Sequence, residues 1–230
     1  MPLLLSHEDV IATVTMHDAI EAMEGAFAEQ GAGFVTQPQR LNLKAGKGWL
    51  RLGPAVLERS GWMGFKAMNM APKGVRYQIH LYRIEDGELA AIMDAQHITT
   101  LRTGGTSAVA TRRLASAEPG PVAILGSGPE ARAQAEAMHA LGIASSLRIY
   151  SRTPENRRRL AEALAARLDV EALAVDSAKQ AIDGCRVVAA AVKSSETVLE
   201  GDWLAPGTHV NSVGTARPDQ REIDPRTFER

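Results

Sequence analysis

Apolar and polar positions change rhythm twice along the chain. From residue 3 to residue 31 the spacing is helical, with Ile20, Met23, Ala26 and Phe27 recurring on one face that would pack on a sheet. Ser6 with Asp9, and Thr15 with Asp18, each place a hydroxyl three residues ahead of an acid, the arrangement of a capping box. From Gln37 the texture becomes short strands broken by glycines, at 40–44, 49–52 and 63–70. A hairpin follows: 75–84 and 88–93 flank Glu85-Asp86-Gly87, and Tyr77, Ile79 and Leu81 alternate with Arg76, Gln78 and His80. These elements predict an antiparallel sheet with helices to one side.

Residues 94–117 again read as helical, interrupted by Gly104-Gly105. Glycine inside a helix costs roughly 1 kcal/mol relative to alanine, so either the helix breaks there or something packs closely. Glu118-Pro119-Gly120-Pro121 forms a stiff hinge, which divides the chain into an α+β domain, 1–117, and a second domain, 118–230. Past the hinge the rhythm alternates between strands near 122–125, 147–150, 170–175, 186–191 and 208–213 and helices near 130–141, 154–168 and 177–183. Such alternation predicts a Rossmann-type α/β fold, a doubly wound parallel sheet. Asp224-Pro225 has the form of a helix start, cap then proline, only a few residues before Arg230.

The second domain opens on the chemistry. GPVAILGSGPEARAQAEA, 120–137, reads as strand, glycine turn and helix. Gly126 permits the tight turn, Gly128 lets backbone approach a pyrophosphate, and Ala131 is the third small position, where helix packs on strand. The helix N-terminus then turns amide donors toward the phosphates. At the end of the next strand, where an NAD site often presents an acid to the ribose 2′-hydroxyl, the chain has Ser151-Arg152-Thr153 and no carboxylate. A guanidinium flanked by hydroxyls suits a 2′-phosphate, so NADP(H) is favoured, with NAD(H) as the alternative cofactor.

Composition narrows the partners. A chain of 230 residues forms one large or two ordinary domains, and 26 basic against 27 acidic side chains give no electrostatic case for nucleic acid or an anionic membrane. The longest apolar runs fall far short of a membrane span. Cys185 is the single cysteine, which excludes an internal disulfide, and with no secretory leader at Met1 a cytoplasmic protein is expected. No Cys/His set has zinc-ligand spacing, so no metal is expected, and His80, His97 and His209 read as structural.

Several stretches together resemble the ornithine cyclodeaminase/μ-crystallin family: QPQRLNL (37–43), GFKAMNMAP (64–72), AIMDAQHITTLRTGGTSAVATRRLA (91–115), GSGPEARAQ (126–134), YSRT (150–153), HVNSVG (209–214) and REIDP (221–225). The resemblance implies a substrate-binding and dimerisation domain followed by the nucleotide domain, and a homodimer. It implies hydride transfer between a nicotinamide and C2 of a small 2-imino or 2-amino acid, as in ketimine or pyrroline-2-carboxylate reductases and alanine dehydrogenase. Ornithine cyclodeaminase, which recycles its NAD, and a non-catalytic crystallin-like binder of NADP(H) are the alternatives. Arg40 and Arg102 match the arginines that hold the substrate carboxylate, where a guanidinium forks onto two oxygens. Lys66 matches the active-site lysine, beside the substrate's C2 nitrogen or carbonyl. The nucleotide set comprises Thr103, Gly126, Ser127, Gly128, Pro129, Glu130, Ala131, Ser151, Arg152, Thr153, Val192 and Val213.

Two departures follow from the same resemblance. Cyclising members carry an acid–base aspartate two residues after the VG of the last strand, where this chain has Ala216, and a methyl group cannot shuttle a proton. Asp219 lies too far along to replace it. Family members also continue for roughly eighty residues more, by the usual size of such domains, so a missing C-terminal segment is expected.

Overall fold

The structure, a computed structural model, describes residues 1–215 and 217–229. The chain forms two compact units, Met1–Leu101 and Arg102–Arg230.

The first unit contains β1 (Leu3–Leu5), α1 (His7–Thr13), α2 (Met16–Gly31), β2 (Val35–Thr36), β3 (Leu41–Ala45), β4 (Gly48–Leu57), β5 (Trp62–Ala71), β6 (Gly74–Arg83) and β7 (Leu89–Asp94). Its described strands make one sheet in the order β1-β7-β6-β5-β4-β2, with β3 also on β4. All pairs are antiparallel except β1 with β7. Both expected capping boxes are present, Ser6 with Asp9 and Thr15 with Asp18. The first of them corrects the reading of residues 3–5 as helix. An N-cap residue is itself extended, so whatever precedes Ser6 lies outside α1, and Leu3–Leu5 pairs instead with Ala91–Met93.

β4 also runs further than its sequence suggests. Gly53-Pro54 looks like a strand breaker, yet the strand continues to Leu57 and pairs with β5 throughout. On its other side β3 covers β4 only to Leu52 and β2 resumes at Val56, so 53–55 are an edge. Proline is tolerated there because no partner strand asks for its missing N–H.

α3 (Gln96–Leu114) spans the division between the units and lies upstream of the Glu118–Pro121 stretch. It runs unbroken through Gly104 and Gly105, both buried. The paired glycines therefore do not break the helix, and their cost is borne at buried positions.

The second unit continues with β8 (Gly120–Leu125), α4 (Pro129–Ala140), β9 (Ala144–Tyr150), α5 (Pro154–Leu168), β10 (Glu171–Ala174), α6 (Ala178–Ile182), β11 (Val187–Ala190) and β12 (His209–Ser212). The described strands are all parallel, in the order β10-β9-β8-β11-β12, which is the expected doubly wound sheet. Its centre is fully enclosed: Ala123, Ile124, Leu125, Leu147, Ile149, Val188, Ala189 and Ala190 are all inaccessible to solvent. Strands covered on both faces read as continuous apolar runs, as β8 and β11 do. Each large aliphatic side chain buried here contributes roughly 1.5–3 kcal/mol. Chain order reverses at β8, which has β9 on one side and β11 on the other, leaving a crevice at the carboxyl ends of the strands. The expected Asp-Pro start is also found: Asp224 caps a 3₁₀ turn, Pro225–Phe228, accepting from the Thr227 amide at 3.1 Å.

Candidate functional site

In the second unit the glycine turn between β8 and α4 lies at that reversal. Gly126 has φ +123°, and a Cβ on it would stand 2.6 Å from the Ala191 carbonyl oxygen and 3.3 Å from the Ala131 Cβ. Both the positive φ and the close approach of β11 therefore require glycine, and Ala131 must be small. Gly128 differs. It is the extended N-cap of α4, provides no side-chain cap, and would carry a Cβ into open space. Pro129 at the first helical position has no N–H to satisfy, and the space beside Gly128, with Ser127 and Glu130 close by in the chain, is open ahead of the remaining first-turn amides of α4.

Thr103 is buried on α3, where its carbonyl accepts from Gln134 Nε2 of α4 at 3.4 Å. At the end of β9, Ser151 is buried with its hydroxyl donating to the Thr153 carbonyl at 3.3 Å, while Arg152 and Thr153 are exposed. Thr153 is the N-cap of α5 but makes no side-chain cap bond.

Sequence reasoning missed the residue beneath this turn. Arg157 is buried; its Nη1 donates to the Ser151 carbonyl at 3.0 Å, its Nη2 to Asp176 Oδ1 at 2.5 Å, and its Cζ lies 5.7 Å from the Tyr150 ring centroid. Arg157-Arg158-Arg159 reads as a solvated run, and only its position on α5 turns the first inward.

A second missed residue ties the ends of β11 and β12. Val192 and Val213, just past those strands, are half-buried. The Ala191 amide donates to the Leu125 carbonyl at 2.8 Å, and the Val213 amide to the Ala190 carbonyl at 2.9 Å. Glu222, 1 % exposed, accepts from the Val192 amide at 2.8 Å, the Gly214 amide at 2.7 Å and the Ser212 hydroxyl at 2.7 Å. REIDP contained the signal, but a glutamate in a loop has no period to reveal it.

In the first unit, Lys66 of β5 is paired with Gly53 of β4 on one side and Ile79 of β6 on the other. Its Nζ lies 3.4 Å from Thr99 Oγ1 and 5.8 Å from the Tyr77 ring centroid. Thr99 donates its own hydroxyl proton to the Ala95 carbonyl at 2.7 Å, so its oxygen faces the ammonium as an acceptor. Arg40 is exposed, and its Cγ lies 3.8 Å from where a Cβ on Gly53 would stand. Arg40 and Lys66 are thus brought to the same glycine, in the gap on the β4 edge. Arg102 is exposed on α3, three residues past Thr99 and in the second unit.

Other polar groups are local. His80 stacks on Phe65 at 4.6 Å, His97 stands edge-on to His7, and His209 contacts Asn211 Oδ1 at 3.3 Å; burial lowers the His209 pKa. Asp219 forms an exposed ion pair with Arg217 at 2.7 Å. Ala216 lies outside the described residues. No described helix is long and apolar enough to cross a membrane.

A family model described as the ornithine cyclodeaminase/mu-crystallin family matches residues 1–230. The ketimine reductase mu-crystallin of Mus musculus is 30% identical over 214 residues, covering 89% of this chain and 67% of its own. The structure of Thermococcus litoralis Delta(1)-pyrroline-2-carboxylate reductase in complex with NADH and L-proline superposes with a TM-score of 0.90 at 32% identity, over 98% of this chain and 72% of that one. An archaeal alanine dehydrogenase dimer with bound NAD gives a TM-score of 0.90 at 27% identity, over 99% and 72%.

Proposed function

Because this chain belongs to the ornithine cyclodeaminase/mu-crystallin family, we propose that it is an NADP(H)-dependent oxidoreductase joining a nicotinamide to C2 of a small 2-imino or 2-amino acid. The reading rests above all on the Arg40 stem and the Lys66 backbone both lying beside Gly53. One cation shaped to fork onto a carboxylate and one able to give a proton are what a 2-imino acid asks of a protein. Relatives of similar length of match are a ketimine reductase and a pyrroline-2-carboxylate reductase, which supports the same class.

The residues fit a dinucleotide. The left-handed Gly126 and the open Gly128 leave backbone where a pyrophosphate needs it, so Gly126, Ser127, Gly128 and the first turn of α4, with Thr103, Pro129, Glu130 and Ala131 around them, would hold it. Ser151, Arg152 and Thr153 would take the adenosine ribose. Val192 and Val213, on the other side of the reversal, would take the nicotinamide half. When bound, the cofactor supplies the hydride. Solved relatives hold NADH and NAD; the exposed Arg152, with no carboxylate in its turn, supports the 2′-phosphate form here.

The chain's own groups do the rest. Arg40 and Arg102 orient the substrate through its carboxylate, which supplies much of the acceleration. Lys66 Nζ, oriented by Thr99 Oγ1, donates a proton to the imine nitrogen as C2 is reduced, leaving the neutral amine on the lysine. Ala216, in the position of the cyclising aspartate, disfavours net deamination. The half-buried strands β4 and β5 support a homodimer formed through the first unit's sheet, as does the dimer of the archaeal relative. A cytoplasmic setting agrees with a lone cysteine kept as a buried thiol.

The test is a nicotinamide absorbance assay with pyrroline-2-carboxylate, piperideine-2-carboxylate, pyruvate with ammonia, and ornithine. Net NADPH oxidation with an imine is expected; ammonia release from ornithine with no net absorbance change would replace this reading with a cyclodeaminase. Lys66→Ala should abolish turnover and leave NADPH binding within about twofold; equal loss of both would remove Lys66 from catalysis.

A further inference from the structure

Glu222 is a buried carboxylate that accepts from two backbone amides and a hydroxyl, and no cation among the described residues pairs with it. Burying an unpaired charge is expensive, and a neutral side chain could brace a loop at lower cost. What a carboxylate alone offers is several acceptor positions from one small group. Here one oxygen takes the Val192 amide and the other takes both the Gly214 amide and the Ser212 hydroxyl, so a single side chain closes the ends of β11 and β12 against each other. The fit is tight: a Cβ on Gly214 would overlap the Val192 backbone and Glu222 Oε2.

The segment carrying Glu222 is itself anchored. The Arg221 amide donates to the Ser194 carbonyl at 2.7 Å, and the Glu222 carbonyl accepts from the Val198 and Leu199 amides at 2.9 and 3.0 Å. Leu199 and Ile223 then form a parallel bridge. The carboxylate is therefore held from behind and points at the ends of β11 and β12, which on the dinucleotide reading would flank the nicotinamide half of the crevice. Its three hydrogen-bond donors, at Val192, Ser212 and Gly214, all belong to those strand ends and not to the glycine turn of β8.

We propose that Glu222 is a positioning residue for the nicotinamide half of the cofactor, setting the spacing of Val192 and Val213-Gly214 without touching the reacting atoms. This rests on the dinucleotide reading above. It predicts a division between the two halves of the ligand. The adenosine-pyrophosphate end, bound at Gly126–Ala131 and Ser151–Thr153, should not depend on Glu222, whereas the extra affinity contributed by the nicotinamide should.

The experiment compares binding of NADPH with 2′-phospho-ADP-ribose, and NADH with ADP-ribose, by calorimetry on wild type, Glu222→Gln and Ser212→Ala. Gln keeps the size but sets an NH₂ against an amide N–H, so the nicotinamide-bearing ligand should weaken about tenfold while its truncated counterpart stays within about twofold, the loss of one charge-assisted bond. Ser212 is exposed and removes only one donor, so Ser212→Ala should show the same division more weakly, about threefold, and reports even if Glu222→Gln fails to fold. Equal losses for full and truncated ligands, or no loss in either variant, would overturn the role of Glu222. Wild type binding none of the four ligands would instead overturn the dinucleotide reading itself.

Discussion

Gly53 and Lys66 are partners across β4 and β5, and the stem of Arg40 passes over the glycine. The φ of Gly53 is not left-handed, so its backbone does not require glycine. A Cβ there would sit 3.8 Å from Arg40 Cγ and 4.0 Å from the Lys66 carbonyl oxygen, both ordinary contacts. Gly53→Ala should therefore leave kcat/KM within about threefold of wild type. Gly53→Leu would occupy the space of the Arg40 stem and should raise KM for the imino acid by about tenfold or more, with NADPH affinity unchanged, because only a carboxylate contact is lost. Parallel substrate and cofactor titrations check this.

Gly126 and Gly128 should separate stability from binding. Alanine at Gly126 meets a φ of +123° and a carbonyl oxygen at 2.6 Å, so Gly126→Ala should lower unfolding free energy by roughly 2–4 kcal/mol through strain and overlap. Alanine at Gly128 meets nothing within 4 Å. Gly128→Ala should cost under about 1 kcal/mol, the penalty for a poorer N-cap, yet weaken NADPH by covering the approach to the α4 amides. Urea unfolding beside calorimetry distinguishes the two.

The sequence made local devices legible and long-range geometry much less so. Capping boxes at Ser6 and Thr15, the Gly87 hairpin and the strand-turn-helix at Gly126 each depend on residues within one turn of each other, and all are found. β1 was hidden because three leucines have no measurable period, and the middle of β4 because Gly53-Pro54 breaks a strand unless it lies on an edge. The proposed site divides in the same way. Gly126 and Arg152 announce themselves by type and spacing. The placing of Arg40 and Lys66 beside one glycine depends on strand register, Arg157 on which side of α5 faces in, and Glu222 on a loop returning to strands ten or more positions earlier.

Cys185 should set an alkaline limit on stability. It is buried beneath the second unit's sheet, its Sγ 3.1 Å from the Ala181 carbonyl, and burial pushes its thiol from 9.0 up to about 11. A raised folded pKa means the stabilisation is complete below the unfolded value and is lost as pH climbs from 9.0 toward about 11. The loss is on the order of 2–3 kcal/mol over that window. Cys185→Ala should flatten this limb, read as urea midpoints at about pH 8 and about pH 10.5, and the native thiol should react with alkylating reagents only as fast as the unit opens.

Arg152 and Arg157 stand at one turn but should fail differently. Arg152 is exposed and would meet a 2′-phosphate directly, so Arg152→Ala should weaken NADPH by about ten- to a hundredfold and NADH by no more than about twofold, the size of a charge-assisted contact. Arg157 is spent on the Ser151 carbonyl and Asp176. Arg157→Met keeps the stem against Tyr150 but leaves the buried Ser151 carbonyl without that donor, so it should lower stability by about 1–3 kcal/mol and loosen NADPH and NADH alike. Fluorescence titration of both cofactors against both variants decides it. Equal responses to Arg152→Ala would end the 2′-phosphate assignment, and a loss confined to NADPH in Arg157→Met would transfer that assignment to the buried guanidinium.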